Sequence, residues 1–124
     1  MRVPGWMNAA ISDFGRASGL DGLALNARGA AALRFETGAT LRLEYTGAEL
    51  VMAMTIPENV DLKRLLALAH PRARHGLRIR SGVLPRTQTG VIAVRLAERD
   101  VTLPQMNAAF GALWRLAREI GGAQ

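Results

Sequence analysis

The sequence predicts an α+β domain: a mainly antiparallel five-stranded sheet and three helices, in the order α-β-β-β-α-β-β-α. Three observations carry this expectation. The last stretch before the C-terminus repeats apolar residues at helical spacing, several stretches between Ala31 and Leu96 alternate at strand spacing, and the links between those strands are too short for parallel crossovers. The 124 residues read as one domain over 1–124, a length that buries roughly two thirds of the surface an unfolded chain exposes. No repeat, low-complexity run or linker divides it.

Pro4-Gly5 precedes a first helix from about Trp6 to Ser18, with Met7, Ala10, Ile11 and Phe14 on one face and Asn8, Ser12, Asp13 and Arg16 facing away. Gly19 to Gly29 reads as a loop tacked down by Leu20, Leu23 and Leu25, although Leu23 and Leu25 could equally begin a short strand. In AALRFE, Ala31, Leu33 and Phe35 alternate with Arg34 and Glu36, and in TLRLEY, Leu41, Leu43 and Tyr45 alternate with Arg42 and Glu44. Thr37-Gly38 between them makes this a hairpin with one wet face. The third strand, ELVMAMTI, puts Leu50, Met52, Met54 and Ile56 on one face but Val51 and Ala53 on the other, so its outer face is expected to be covered.

A second helix is expected from Asn59 or Val60 to Ala69, ending before Pro71 because the residue preceding a proline avoids the helical region. Leu77 and Ile79 alternate with Arg78 and Arg80 in a fourth strand that continues towards Val83, and Val91 to Leu96 make a fifth. The last helix runs from Thr102 to Ile120. Thr102 and Gln105 form a capping box, Pro104 fits the first turn, and Met106, Phe110, Leu113, Ala117 and Ile120 lay down one apolar stripe.

Composition excludes several function classes. There is no cysteine, which removes disulfides, thiol catalysis and cysteine-ligated metals. No window has the ~18 to 20 apolar residues of a membrane span and no signal-peptide run is present, so a cytoplasmic protein is expected. His70 and His75 have no neighbouring acid or third histidine to complete a metal set. Ser12, Ser18 and Ser81 lack a nucleophile-elbow context, and Gly15, Gly19 and Gly22 do not have dinucleotide-loop spacing. Neither an enzyme nor a cofactor is expected.

The net charge of +6 is concentrated: Lys63, Arg64, Arg72, Arg74, Arg78, Arg80 and Arg86 fall in one acid-free segment, and the remaining nine bases against ten acids leave −1. A solvated face, a nucleic-acid site and a surface complementary to an acidic protein all fit this patch. Nucleic-acid binding would want stacking aromatics beside the charges, and none lies between Lys63 and Arg86. Met52 and Met54 suit a core or a client-binding surface, Trp6 and Trp114 a core edge or an interface, and an open sheet edge could accept an extended segment.

The C-terminal stretch VIAVRLAERDVTLPQMNAAFGALWRLAREI, with strand, Glu98-Arg99, Thr102-Leu103-Pro104, Ala109-Phe110 and Leu113 to Leu116, resembles the class I type III secretion chaperones, the Tir chaperone family, and within it the SycN-like chains. The resemblance implies a dimeric, ATP-independent chaperone that holds the N-terminal region of a secreted gatekeeper or effector in a non-globular, secretion-competent form. SycN-like chains pair with a second small chaperone. By element, the resemblance implies a dimer surface at Leu62, Leu65, Leu66, Leu77 and Ile79, and client contacts at Trp6, Met7, Ile11, Phe14, Val51 and Ala53. Such chaperones are commonly acidic. The basic excess here sits on the element assigned to pairing, where two like faces would repel, and so implies an acidic sister subunit. A small nucleic-acid-binding domain using the 63–86 segment is the alternative.

Overall fold

The computed structural model describes residues 2–36, 38–56, 72–74, 77–84, 86 and 89–120. The chain enters through helix α1 (Gly5–Ala17), then a meander of β1 (Ala30–Arg34), β2 (Thr40–Tyr45) and β3 (Glu49–Thr55). It continues through β4 (Arg72–Arg74), β5 (Leu77–Leu84) and β6 (Thr89–Ala97), then a 3-10 turn (Glu98–Asp100) and helix α2 (Leu103–Ile120). All neighbours in the sheet are antiparallel, in the order β1-β2-β3-β6-β5-β4. The five expected strands are present. The sheet has six, because three-residue β4 pairs with the start of β5; three residues are too few to show an alternation. Of the three expected helices, the first and last are described, and the one from Asn59 or Val60 to Ala69 lies outside the described residues.

Both helices lie against one face of the sheet. Period-two alternation sends Leu41, Leu43 and Tyr45 of β2, Leu50, Met52 and Met54 of β3, Leu77 and Ile79 of β5, and Ile92, Val94 and Leu96 of β6 into a single buried cluster with Met7, Ile11 and Phe14 of α1. From α2 the buried residues are Met106, Ala109, Ala112, Leu113 and Leu116, while Phe110 and Ala117 are only partly buried. The face of α2 that meets the core is therefore rotated from the expected stripe. Alanines let the helix approach the core closely, and the bulkier Phe110 goes to the flank. At its start, Gln105 N–H reaches the Thr102 hydroxyl at 3.4 Å and Met106 N–H donates to the Thr102 carbonyl at 2.9 Å.

Leu23 and Leu25 are buried in a loop rather than a strand. Two contacts hold that loop to α1. The Asn8 side chain, expected to face solvent, accepts a hydrogen bond from Leu25 N–H at 2.9 Å. Gly15 lies directly under the returning chain, where an added Cβ would sit 2.5 Å from the Leu20 carbonyl oxygen and 3.0 Å from Leu23 Cβ. The β2–β3 turn is closed by Gly47, whose φ of 99° suits glycine, and by the Thr46 hydroxyl, which accepts from Glu49 N–H at 3.1 Å. Val51 and Ala53, whose side of β3 was expected to be covered, are only partly buried.

Two predictions follow from this packing. Gly15→Ala should destabilise the protein in urea unfolding, by about 1 to 3 kcal/mol as in other overpacked sites, although alanine favours a helix by about 1 kcal/mol. Gly5→Ala, with nothing within 4 Å of the new Cβ, should be neutral or mildly stabilising; equal effects from the two would show that the 20–23 loop yields freely. The second concerns Tyr45, whose hydroxyl donates to the Gly47 carbonyl at 3.2 Å and whose phenol is held above its ordinary 10.0 by burial and then by the nearby Glu98 carboxylate. The unfolded phenol then ionises first, so the contribution is complete below about pH 10 and is lost as pH rises through the folded value. Tyr45→Phe should flatten that alkaline limb in thermal melts at stepped pH.

Candidate functional site

The sheet has two unlike faces. On the helix side almost every apolar residue is used internally. Met7, Ile11 and Phe14 are 0% exposed, and Trp6, at 49%, is the large apolar residue of α1 that reaches solvent. Phe14 meets Phe110 edge to face at 5.7 Å, and Phe35 beyond β1 packs between Phe110 at 6.1 Å and Trp114 at 5.2 Å. These rings make a partly buried aromatic flank where β1 meets α2.

The opposite face carries Val51 and Ala53 of β3. Register places Val51 beside Arg95 and Ala53 beside Ala93, and Ala93 beside Arg80 of β5. Gly82 pairs with Val91 one step further along. The result is an open hollow of about 390 Å³ on the outer face of β3, β6 and β5, floored by small residues and bordered by Arg78, Arg80, Arg95 and Glu49. Glu49 and Arg95 pair with each other at 3.2 Å, an exposed ion pair worth under about 1 kcal/mol. Among the described residues no carboxylate pairs with Arg78 or Arg80, both of which are exposed.

The residues singled out in the sequence are thus divided. Trp6, Met7, Ile11 and Phe14 belong to the helix side, and Val51 and Ala53 to the other, so the six do not converge on one patch. Leu77 and Ile79 point inward and are 7% and 0% exposed; what β5 offers a partner is Arg78 and Arg80. Leu62, Leu65, Leu66, Lys63 and Arg64 lie outside the described residues. In the basic segment, Arg72 and Arg74 pair in register with Ile79 and Leu77, and Arg86 is in the β5–β6 loop. All six aromatic residues of the chain (Trp6, Phe14, Phe35, Tyr45, Phe110 and Trp114) are on α1, on α2 or on the helix side of the sheet.

Sequence reasoning missed Gly82, Val91 and Ala93. A signal was available: VIAV in β6 is apolar on both phases, as β3 is, and Gly82 interrupts an otherwise alternating strand. His70 and His75 lie outside the described residues, and among the described residues no group of three His, Asp or Glu side chains could hold a metal. No described helix is long and apolar enough to cross a membrane.

A family model described as type III secretory system chaperone SycN matches residues 6–121. No curated protein sequence matches. Among solved structures, the fold is similar to a chain of the HopA1–SchA chaperone–effector complex, with TM-score 0.72, 16% identity and 91% of each chain covered. It is also similar to a chain of the ExsC–ExsE complex, with TM-score 0.74, 18% identity, and 98% of this chain and 95% of that one covered. A third likeness is to a chain of the Yersinia pestis type III secretion chaperone SycH in complex with a stable fragment of YscM2, with TM-score 0.68, 19% identity, and 92% and 98% covered.

The divided placement predicts divided behaviour on substitution. Phe14→Ala removes a fully buried ring and should cost about 3 to 5 kcal/mol in denaturant unfolding. Trp6→Ala should stay within about 0.5 kcal/mol of the parent protein, as surface changes do. A loss at Trp6 comparable to that at Phe14 would mean that the indole is part of the core.

Proposed function

The chain belongs to the type III secretory system chaperone SycN family, and on that premise we propose that it is one subunit of a cytoplasmic two-chain chaperone. Its client is the N-terminal region of a secreted gatekeeper-type or effector protein, and the second chain is a small chaperone of acidic character. The observation that carries this reading is the pair of central strands, β3 and β6, apolar on both faces, with both described helices on the same one. A chain that buries only its own residues has no use for the second apolar face.

The mechanism is non-covalent. Apolar client side chains leave water against preformed protein surface, each square ångström contributing about 25 cal/mol. A client segment held extended in this way is kept from folding. Exposed Trp6 and the aromatic flank at Phe35 and Trp114 are the helix-side surfaces suited to this, since rigid aromatic groups give large contact area at small entropic cost. Leu62, Leu65 and Leu66 remain the proposed pairing residues of the 57–71 segment. Solved complexes of similar fold support a client, being described as a chaperone with an effector or with a partner fragment. The nucleic-acid alternative gains no support from the arginines of β5, because the ring systems that stack on bases are on the other side of the sheet.

The experiment is the native mass and composition of the complex formed in the cell that makes this protein, purified at moderate salt. A second, different and acidic small subunit together with a secreted protein is the expected result. Recovery of the chain alone, or with nucleic acid that dissociates steeply with salt, would overturn the proposal.

A further inference from the structure

We propose that residues 20–25 are a strap that lifts off α1, and that an extended apolar segment of the client takes its place on the face it uncovers. This deepens the client half of the reading above and rests on it: it adds how a covered site opens and what the opened site recognises.

The first argument is how the strap is held. Leu23 and Leu25 are buried with exposed Ala24 between them, which is the alternation of an extended chain, yet these residues belong to no strand of the sheet. The strap is tied to α1 by Leu20 N–H, which donates to the Gly15 carbonyl at 2.6 Å, and by Leu25 N–H, which donates to the Asn8 side chain at 2.9 Å. It lies between Gly19 and Gly29, at φ of 75° and 78°, and Gly22 within it is at 79°. Glycine adopts such angles without steric cost and serves as a pivot. A segment held by leucine side chains and isolated hydrogen bonds is at the low-stability end of a fold, and it opens while the sheet stays closed.

The second argument is what lies beneath. Asn8 and Gly15 are seven residues apart and therefore share one side of α1. Both meet backbone atoms of the strap. Asn8 accepts an N–H, and Gly15, having no side chain, lets the Leu20 carbonyl oxygen pass where a Cβ would be only 2.5 Å away. Every polypeptide carries these two groups, so the cradle receives a backbone without reading its sequence. The side chains of Leu20, Leu23 and Leu25 add the apolar part. What fits is an extended chain with apolar residues three and then two positions apart, and the strap is the protein's own copy of it. A nucleic acid offers neither the amide backbone nor the aliphatic side chains.

The test uses the full chain, with a synthetic peptide of its residues 19–28 as the probe. Leu23→Ser with Leu25→Ser releases the strap and leaves Asn8 and Gly15 in place. This variant should bind the peptide at least about tenfold more tightly than the parent protein, whose closed strap competes for the face. Methylating the peptide nitrogen at the Leu25 position removes the N–H that Asn8 accepts and should weaken binding several-fold. Equal affinity of parent and released variant, or undiminished binding of the methylated peptide, would overturn the proposal. Dimerisation of the released variant without peptide binding would give the face to the strap of a second copy and overturn it too. Should the variant not fold, hydrogen exchange of the unaltered protein decides. The Leu25 amide should exchange at least about tenfold faster in the native client complex than in the free chain, while Met52 in β3 keeps its rate. A complex that holds a secreted client with Leu25 equally or better protected sinks the strap and leaves the client reading standing. Absence of any client overturns both.

Discussion

The register between β3 and β6 is the constraint on which the rest of the molecule depends. It pairs Leu50 with Leu96, Met52 with Val94 and Met54 with Ile92 on the inward side, and Val51 with Arg95, Ala53 with Ala93 and Thr55 with Val91 on the outward side. A slip of β6 by one residue would turn its own side chains over. Ile92, Val94 and Leu96 would then leave the core, each worth about 1.5 to 3 kcal/mol of burial, which together is comparable to the roughly 5 to 15 kcal/mol by which domains are stable. The same register fixes the seat of α2 and, on the reverse side, lines up the small residues that floor the hollow. Core and binding surface are two consequences of one pairing.

Much of this was legible in the sequence because strand alternation is a local signal. Leu41, Leu43 and Tyr45 point inward whatever they pack against, and their phase is readable without knowing the partner strand. The details that escaped depend on size or on distant contacts. For α2, periodicity selects Phe110 and Ala117 as readily as Ala109 and Leu116, but the helix turns its alanines towards the core and leaves the rings to the flank. The Asn8 contact with Leu25 spans seventeen residues, and nothing near Asn8 announces it. Strand β4 is below the length at which any pattern shows.

The site was less legible than the fold, for a physical reason. An apolar residue consumed by the protein's own core and one held for another chain obey the same periodicity. Leu77 and Ile79, or Met7, Ile11 and Phe14, cannot be assigned to either use until it is known which face the helices occupy. Once they are seen to cover one face, the arithmetic of a strand reassigns β5: its apolar residues serve the fold, and the arginines between them face outward.

The exposed face must also avoid unwanted association. A long, flat, apolar edge invites strand addition and aggregation, yet here the sheet ends in β1, five residues with Arg34 at its end, and in three-residue β4. Short outer strands make edge pairing weak. The broad surface lies in the middle of the sheet, on β3, β6 and β5, where small side chains keep the exposed apolar area modest and Arg78, Arg80 and Arg95 break its continuity. Such a surface gains little from a nonspecific apolar neighbour, because burying it would strand the guanidinium groups without partners, and a buried unpaired charge is costly. It gains most from a partner that brings carboxylates to the same places. The arginines therefore act first against the wrong partner and then for the right one, which is how an apolar sheet face can stay open in a crowded cell without becoming a site of aggregation.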